Sequence, residues 1–567
     1  MKTKLLYVTV AFGMVLGLAS CNLDYFPSDE LNGSVLMGSE KGAEYIIDGC
    51  YTMLKEEYDY LDYASSNTYI RHYLQDAEFP SDNICLSGHT TDPLYQATCY
   101  KMTSNLKNIG LPWWVGYKVI YTANSVIEQY KEGESASCDQ LLGEAYFLRA
   151  MVHFHLVCLC AKPYVCGREN KGIPLRISTN TDKTTRATVG EVYDQVVADL
   201  IKASELMNAP RHGGNPGYAT KNTALGLLSR VYLYMEENEK VIDAVDQMGS
   251  PELDGNFENY FANALNSKET LLAIAHTSLE NRGSGSIGSM YTSDGGGWGE
   301  VYASDPLMNL YNRNPQDKRL SYIQLQIETD SKQPLMGKPA VFFPVPGKDD
   351  FRDNTFAELK SDASGKYCEI KDESGTAKKY QIKEVKVNAM SQPDSKGEYT
   401  LYYVNYGGEE CEAHLYDKFP VHRNTFPKYF VTKFSYQDGE PMLSSPVLLR
   451  WGEVVLNRAE AYAKMGNTAK ALEDVNLIRN RAGIPAMEAG NLHGYTDILD
   501  VVLDERRMEL SFEGHRMFDV YRNRRTMDRR YAGVQPWEEI DYTADKIQFP
   551  IPYGETSVSG IDQNPGY

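Results

Sequence analysis

The fold is decided near the C-terminus by residues 459–472, which read AEAYAKMGNTAKAL. Small residues recur throughout this stretch, and Gly466 stands between two such runs. Small side chains let helices approach closely, and a glycine supplies the turn between them, at offsets typical of tetratricopeptide repeats. The stretch therefore predicts a helix-turn-helix pair that stacks against other pairs.

Apolar residues with a period near 3.6 predict further helices on both sides of this stretch. The clearest series are Leu448, Trp451, Val455, Ala459 and Tyr462, and Ala145, Leu148, Val152, His155 and Leu159. Residues 40–58, 114–130 and 189–207 are further predicted helices. No clean repeat of about 34 residues connects them, so the array is degenerate. The predicted fold class is all-α, an α-α superhelix of tetratricopeptide-like helix pairs with loop-rich and short β-hairpin insertions.

The residue pattern of the sequence changes between residues 325 and 445. Residues 380–387 (YQIKEVKV) and 399–404 (YTLYYV) alternate or are rich in aromatics, which is typical of strands. Residues 281–300 are rich in Gly and Ser and have no apolar period, which predicts a surface loop. The predicted regions are a signal peptide (1–20), an N-terminal helical region with the ligand loops (21–324), a hairpin- and loop-rich insertion (325–445) and a C-terminal helical region (446–567).

The chain is acidic. Its 567 residues include 57 Lys and Arg against 77 Asp and Glu, which gives a net charge of -20. Nucleic acids are polyanions and bind basic patches, and no long basic run occurs in this sequence. We therefore expect no nucleic-acid partner.

The N-terminus has the pattern of an export signal. A basic start precedes an apolar stretch, residues 5–18, that is too short to span a bilayer. The stretch ends in Leu18-Ala19-Ser20-Cys21, which resembles a bacterial lipobox. We predict that Cys21 is lipidated; the alternative is an ordinary secretory signal with a chance cysteine. Asn22, where an aspartate often retains lipoproteins at an inner membrane, favours the outer membrane.

The remaining cysteines show no disulfide pattern. The chain has ten cysteines, so nine follow Cys21. An odd number leaves at least one thiol free, bonded to another chain, or buried as a small apolar side chain.

Several sequence strings occur in a characteristic order along the mature chain. They are EAYFLRA at 144–150, RWGE at 450–453, ERRMELSFEGHR at 505–516 and the closing QNPGY at 563–567. Together these strings resemble the SusD/RagB family. The resemblance covers nearly the whole chain but matches residues 325–445 poorly.

This resemblance implies a helical scaffold with four tetratricopeptide-like pairs, anchored by lipid to the outer membrane. It further implies a partner, a SusC-like TonB-dependent transporter, to which the protein delivers captured oligosaccharide or, less often, peptide.

A sugar binder needs flat aromatic faces, because the C–H face of a pyranose is apolar while its hydroxyls seek polar groups. The first candidates lie on or beside the Gly-rich loop: Tyr291, Trp298 and Tyr302. A second group lies on irregular sequence between the first and second helices: Tyr69, Tyr73, Asp82, Asn83 and Trp113. The alternative for each aromatic residue is packing beneath a loop.

One charged segment resembles a catalytic carboxylate pair with its partners. Its residues are spaced at three and four and carry mixed signs on one predicted helix: Glu505, Arg506, Glu509, Glu513, Arg516 and Asp519. This mixture favours a structural ion-pair network over catalysis.

Two further patterns have structural explanations. Residues 283–288 fit GxGxxG, but no helix follows to seat a phosphate. His153, His155, Cys158 and Cys160 are potential metal ligands, yet residues two apart on a helix point to different sides, which favours core packing. We therefore predict no catalytic residue, metal or cofactor.

The sequence leaves four hypotheses open. The leading one is a cell-surface oligosaccharide-binding lipoprotein that delivers its ligand to a SusC-like transporter. The others are a peptide-capturing lipoprotein of the same family, a tetratricopeptide-like scaffold for protein partners, and an enzyme with Glu509 or Glu513 exposed in a cleft.

Overall fold

The protein combines a helical array with a large antiparallel sheet. A computed structural model describes residues 39–567 except 60–67, 87, 89–92, 181–184, 347–353, 373, 389–397 and 424–425. The predicted signal peptide and Cys21 lie outside the described residues.

The helices follow one another along most of the described chain. They are α1 (Glu40–Lys55), α2 (Tyr69–Glu78), α3 (Pro93–Thr98), α4 (Lys107–Gln129), α5 (Ala136–Cys160), α6 (Val189–Leu206), α7 (Lys221–Tyr234), α8 (Asn238–Asp246), α9 (Asp305–Tyr311), α10 (Trp451–Lys464), α11 (Thr468–Arg481), α12 (Ile498–Glu509), α13 (Arg516–Arg522) and α14 (Tyr553–Val558).

Successive helices pack as antiparallel neighbours, from α4 against α5 through to α7 against α8, and α8 in turn packs against α10. The pair α10–α11 has the geometry that residues 459–472 predict. Gly466 has a φ of 75°, a left-handed conformation that favours glycine. The Asn467 side chain then accepts a hydrogen bond from the Lys470 N–H at 3.2 Å and caps α11. The predicted helix-turn-helix is therefore confirmed.

A seven-stranded antiparallel sheet lies within residues 340–416. Its strands are β5 (Ala340–Pro344), β6 (Asn354–Glu358), β7 (Lys360–Asp362), β8 (Gly365–Lys371), β9 (Ala377–Asn388), β10 (Glu398–Tyr406) and β11 (Glu409–Tyr416). They are arranged in the order β6-β5-β11-β10-β9-β8-β7.

The prediction of an all-α fold with short hairpins is therefore wrong, and the fold is mixed α and β. Alternate side chains of several strands share one buried cluster that includes Val341, Phe343, Cys368 and Val404. An isolated hairpin leaves such an apolar face open to water, whereas a sheet that curls until its two ends approach, as β6 approaches β8 here, covers its own apolar face. The apolar residues of these strands are thus buried by pairing the hairpins into one curled sheet.

Short two-stranded pairs connect the remaining segments. They are β1 (Ile84–Leu86) with β3 (Val301–Ala303), β2 (Thr270–Ala273) with β15 (Val447–Arg450), β4 (Ile323–Leu325) with β14 (Tyr429–Val431), β12 (His422–Arg423) with β13 (Phe426–Pro427), and β16 (Met527–Asp528) with β17 (Glu539–Ile540). The β4–β14 pair joins the two chain segments that lead into and out of the large sheet. Within the part of the chain that is described, every helix is too short or too polar to cross a bilayer.

Candidate functional site

Trp298 presents an exposed indole ring on the Gly-rich loop. Its side chain is 61% exposed, and the indole N–H donates to the carbonyl of Ser284 at 3.2 Å. The Trp298 and Gly299 backbone N–H groups both donate to the carbonyl of Ser289, at 2.6 and 3.0 Å. The ring is therefore held in place before any ligand arrives. Residues 283–296 form short 3₁₀ turns, with no longer helix that offers a seat for a phosphate.

Polar groups lie on the same loop and on the segment that packs against it, where Gly295 approaches Pro441. Asp294 is exposed on the same loop and accepts a hydrogen bond from the Tyr436 hydroxyl. Asn281 donates to the Glu440 carboxylate at 2.6 Å. Carboxylate, amide and phenol groups beside an aromatic face are the groups that bind sugar hydroxyls. We call Trp298, Asp294 and Tyr436 the Trp298 surface.

The other two aromatics of this group are buried. Tyr291 is 1% exposed, and its ring stacks 5.8 Å from that of Phe434 and meets Phe512 edge-on. Tyr302 lies in β3 beside Phe430, with ring centroids 6.3 Å apart. Apolar neighbours on several sides withdraw these rings from solvent, so neither presents a face to a ligand in this structure.

Tyr69 and Tyr73 lie on helix α2 rather than on irregular sequence. Thr68 caps this helix by accepting from the Arg71 N–H at 3.2 Å. Both tyrosines are buried: the Tyr69 hydroxyl contacts His155 Nδ1 at 2.9 Å, and the Tyr73 ring stacks 3.8 Å from the His155 ring. They pack α2 onto α5 and present no open face.

Asp82 and Asn83 serve the protein interior. The Arg516 guanidinium donates to both Asp82 carboxylate oxygens, at 2.7 and 3.0 Å, and Arg507 Nε donates to the Asn83 side chain at 2.9 Å. Burial by itself raises the pKa of Asp82, but Arg507 and Arg516 outweigh it and hold the pKa well below its usual value. Asp82 is therefore an ionised, paired carboxylate.

Trp113 lies within helix α4 rather than on irregular sequence. It is buried but forms part of the wall of a small pocket of about 170 Å³. Trp114, Tyr117 and Tyr121 of α4 line the same pocket. Tyr121 is exposed, and Lys118 Nζ lies 3.6 Å from the Trp114 ring centroid. Sequence reasoning missed these three aromatics, although their spacing of three and four places them on one helix face.

The charged segment 505–519 forms a buried ion-pair network, as its mixed charges predict. The Glu509 carboxylate is fully buried and contacts Arg450 at 2.5 Å, Arg319 at 3.4 Å, and Arg481. Glu513 binds Arg450 at 2.8 Å, and Arg450 together with Lys433 lowers its pKa to about 2 despite burial. The segment is not one helix: α12 ends at Glu509, and α13 begins at Arg516.

The predicted core packing of the histidine and cysteine cluster is confirmed. The Arg176 N–H donates to His153 Nε2 at 3.3 Å, so Nδ1 carries the proton and donates to the Arg149 carbonyl at 3.0 Å. His155 points instead to Tyr69. The nine cysteines that the structure describes form no disulfide with one another, and no group of three or more metal-ligating side chains is found in the described ranges.

These buried histidines predict acid sensitivity. Burial lowers the pKa of His72 and of His153 to about 3, and that of His515 to about 4. The unfolded chain therefore takes up protons first, and stability that is complete above about pH 6.5 is lost as the pH falls towards 3. At pH 5 each of these three histidines lowers the free energy of unfolding by about 2 kcal/mol. Urea unfolding at pH 7 and pH 5 measures this loss.

His153→Gln is the variant that tests this prediction. The glutamine amide offers a donor and an acceptor, as the histidine ring does, but it does not bind a proton in this pH range. Its loss of stability between pH 7 and pH 5 should be smaller than that of the wild type by about 2 kcal/mol. Equal urea midpoints for the wild type at both pH values would contradict this account.

Comparison with known proteins agrees with the fold. The family model described as "SusD family" matches residues 258–567, and the one described as "Starch-binding associating with outer membrane" matches residues 29–233. Two SusD-like proteins of Formosa agariphila are 22% and 23% identical, and each alignment covers 80% of this chain and 79% and 80% of the relative.

Solved structures with this fold cover nearly the whole chain. A SusD superfamily protein from Bacteroides vulgatus has a TM-score of 0.67 at 21% identity, over 93% of this chain and 99% of that one. A structure described as a laminarin-binding SusD-like protein has a TM-score of 0.58 at 18% identity, over 93% and 99%. These similarities establish the fold that carries the Trp298 surface.

Proposed function

We propose that this chain, which belongs to the SusD family, captures oligosaccharide at the cell surface and delivers it to a SusC-like TonB-dependent outer-membrane transporter. The observation that carries the proposal is the Trp298 ring, 61% exposed and fixed through its N–H to the Ser284 carbonyl at 3.2 Å. A fixed aromatic face binds the apolar side of a pyranose without first losing rotamer freedom.

The comparisons support a sugar as the ligand. One matching family model is described as starch-binding, and one structure with the same fold is described as laminarin-binding. Handover to a transporter requires release, so we expect affinities of roughly micromolar to millimolar.

We propose that the protein acts without catalysis. Glu509 and Glu513, whose spacing resembled a catalytic carboxylate pair, form ion pairs with arginine and lysine side chains. A general acid needs a proton near neutral pH, whereas these cations hold the pKa of both groups low.

The experiment that tests the function is a binding screen of the purified full chain. The screen includes laminarin, soluble starch, other plant, host and microbial glycans, and a peptide pool. We expect a glycan to bind and Trp298→Ala to lose it. Binding only to peptides would favour the peptide-capturing alternative, and binding to no small ligand would favour a scaffold.

We also propose that Cys21 carries the lipid anchor. Several acyl chains hold a protein on a membrane stably, and removing the attachment site releases it. Cys21→Ala should therefore move the protein from the outer-membrane fraction to the soluble fraction, as measured by fractionation of cells that lack the partner transporter. Recovery of the variant with the outer membrane in such cells would disprove lipid anchoring.

A further inference from the structure

A large cleft separates helix α9 from the seven-stranded sheet. It encloses about 650 Å³, within the range of small-molecule sites. Strands β10 and β11 pair only from Tyr402 with Ala413 to Tyr406 with Glu409. Beyond that point β10 continues beside β9 and β11 beside β5, so the two strands diverge. The cleft lies at this fork.

The helix side of the cleft offers amides and a guanidinium group. Asn309 and Asn312 extend from the last turn of α9 and its C-cap, and Arg313 follows them. Arg313 is held by the Tyr495 hydroxyl at 3.0 Å and lies 4.0 Å from the Asp504 carboxylate. Its position is thus fixed by groups outside the cleft.

The sheet side of the cleft offers tyrosine rings, a carboxylate and an imidazole. Tyr416 and Tyr429 share a hydrogen bond of 2.8 Å between their hydroxyls, and both rings line the cleft together with Tyr402. Glu412 and His414 also line the cleft, and they lie on β11, the strand that carries Tyr416. All five side chains are half-buried, so they are accessible without being mobile surface groups.

We infer that this cleft is a second carbohydrate-binding site, which holds another part of the glycan that contacts the Trp298 surface. The inference rests on the proposed function. Tyrosine rings beside amide, guanidinium and carboxylate groups match a ligand with apolar faces and many hydroxyls. Arg313 and Glu412 bring opposite charges to the same cleft, which favours a neutral glycan over an ionic ligand.

The cleft and the Trp298 surface lie close enough for one glycan chain. Helix α9 begins at Asp305, seven residues after Trp298, so the Cα atoms of Trp298 and Asp305 are at most about 25 Å apart. Asn312 of the cleft lies at the other end of this helix, at most about 11 Å further on. Two modest sites on one ligand raise the apparent affinity, because the second contact becomes intramolecular. Polymers should therefore bind more tightly than short oligosaccharides.

Native affinity electrophoresis tests this inference. Gels contain laminarin, soluble starch or any glycan that the screen identifies, and the samples are the wild type, Trp298→Ala, the double variant Asn312→Ala/His414→Ala, and the control Asp417→Ala, an exposed residue next to the cleft. Asn312→Ala alone changes an exposed residue and serves if the double variant unfolds. The double variant should lower affinity for the polymer by about tenfold or more, and Asp417→Ala should not.

The outcomes separate the two proposals. If Trp298→Ala abolishes binding while the cleft variants bind like the wild type, the cleft is overturned and the proposed function stands. If the cleft variants lose binding, alone or together with Trp298→Ala, the cleft is supported. If no glycan binds, both proposals are wrong. Peptide binding that the cleft variants abolish would make the cleft a peptide-binding site instead.

Discussion

Replacing Glu509 by glutamine should lower the free energy of unfolding by about 3–5 kcal/mol. The carboxylate is fully buried among Arg319, Arg450 and Arg481. An amide of the same shape removes the negative charge and leaves three buried guanidinium groups with too little negative charge to balance them. Domains are stable by only about 5–15 kcal/mol. Urea unfolding followed by circular dichroism should therefore show a much lower midpoint.

An exposed ion pair provides the control for this variant. Asp194 and Arg168 pair at 2.6 Å with both side chains more than half exposed, so Asp194→Asn should cost less than about 1 kcal/mol. A Glu509→Gln protein with the wild-type midpoint would remove the structural explanation. Steady glycan hydrolysis by the wild type that this variant abolishes would make Glu509 catalytic.

The helical part of the fold was largely predictable because its signals are local. The turn at Gly466 and the cap at Asn467 lie within the stretch that predicts them. The ion pairs of Glu509 and Glu513 followed from charges of mixed sign at helical spacing. The break between α12 and α13 was missed: Phe512 and Gly514 both have positive φ there, and a non-glycine residue in that conformation has little sequence signature.

The sheet was missed because its pairing is not local. Strand β11 lies between β10, its hairpin partner, and β5, whose residue Phe342 pairs with His414. Neighbours in sequence predict a hairpin, but they carry no information about a partner so distant along the chain. The residues that line the cleft at this fork were missed for the same reason.

Burial decided which candidate aromatics remain accessible. Tyr69 and Tyr73 are four residues apart, a helical spacing that places both on one face of α2, so the packing alternative was already visible for them. Tyr291 and Tyr302 gave no such signal. Trp298 stands between two glycines, so neither residue beside it in the sequence carries a side chain that could cover its ring.

Replacing Trp298 by alanine should weaken glycan binding by about 30-fold or more, which corresponds to about 2 kcal/mol, the loss typical of a central aromatic contact. Trp298→Phe keeps a flat face and should retain most of the affinity. Trp298 is 61% exposed, so neither substitution should change the free energy of unfolding by more than about 0.5 kcal/mol. Tyr553→Ala removes an aromatic that is 58% exposed elsewhere on the surface and is the matched control.

The most direct test of the account is a calorimetric titration of the wild type, Trp298→Ala, Trp298→Phe and Tyr553→Ala with one glycan from the screen. We predict binding by the wild type, Trp298→Phe and Tyr553→Ala, and its loss in a folded Trp298→Ala protein. Equal affinity of Trp298→Ala and the wild type would contradict the account, because the exposed ring would then have no part in glycan capture.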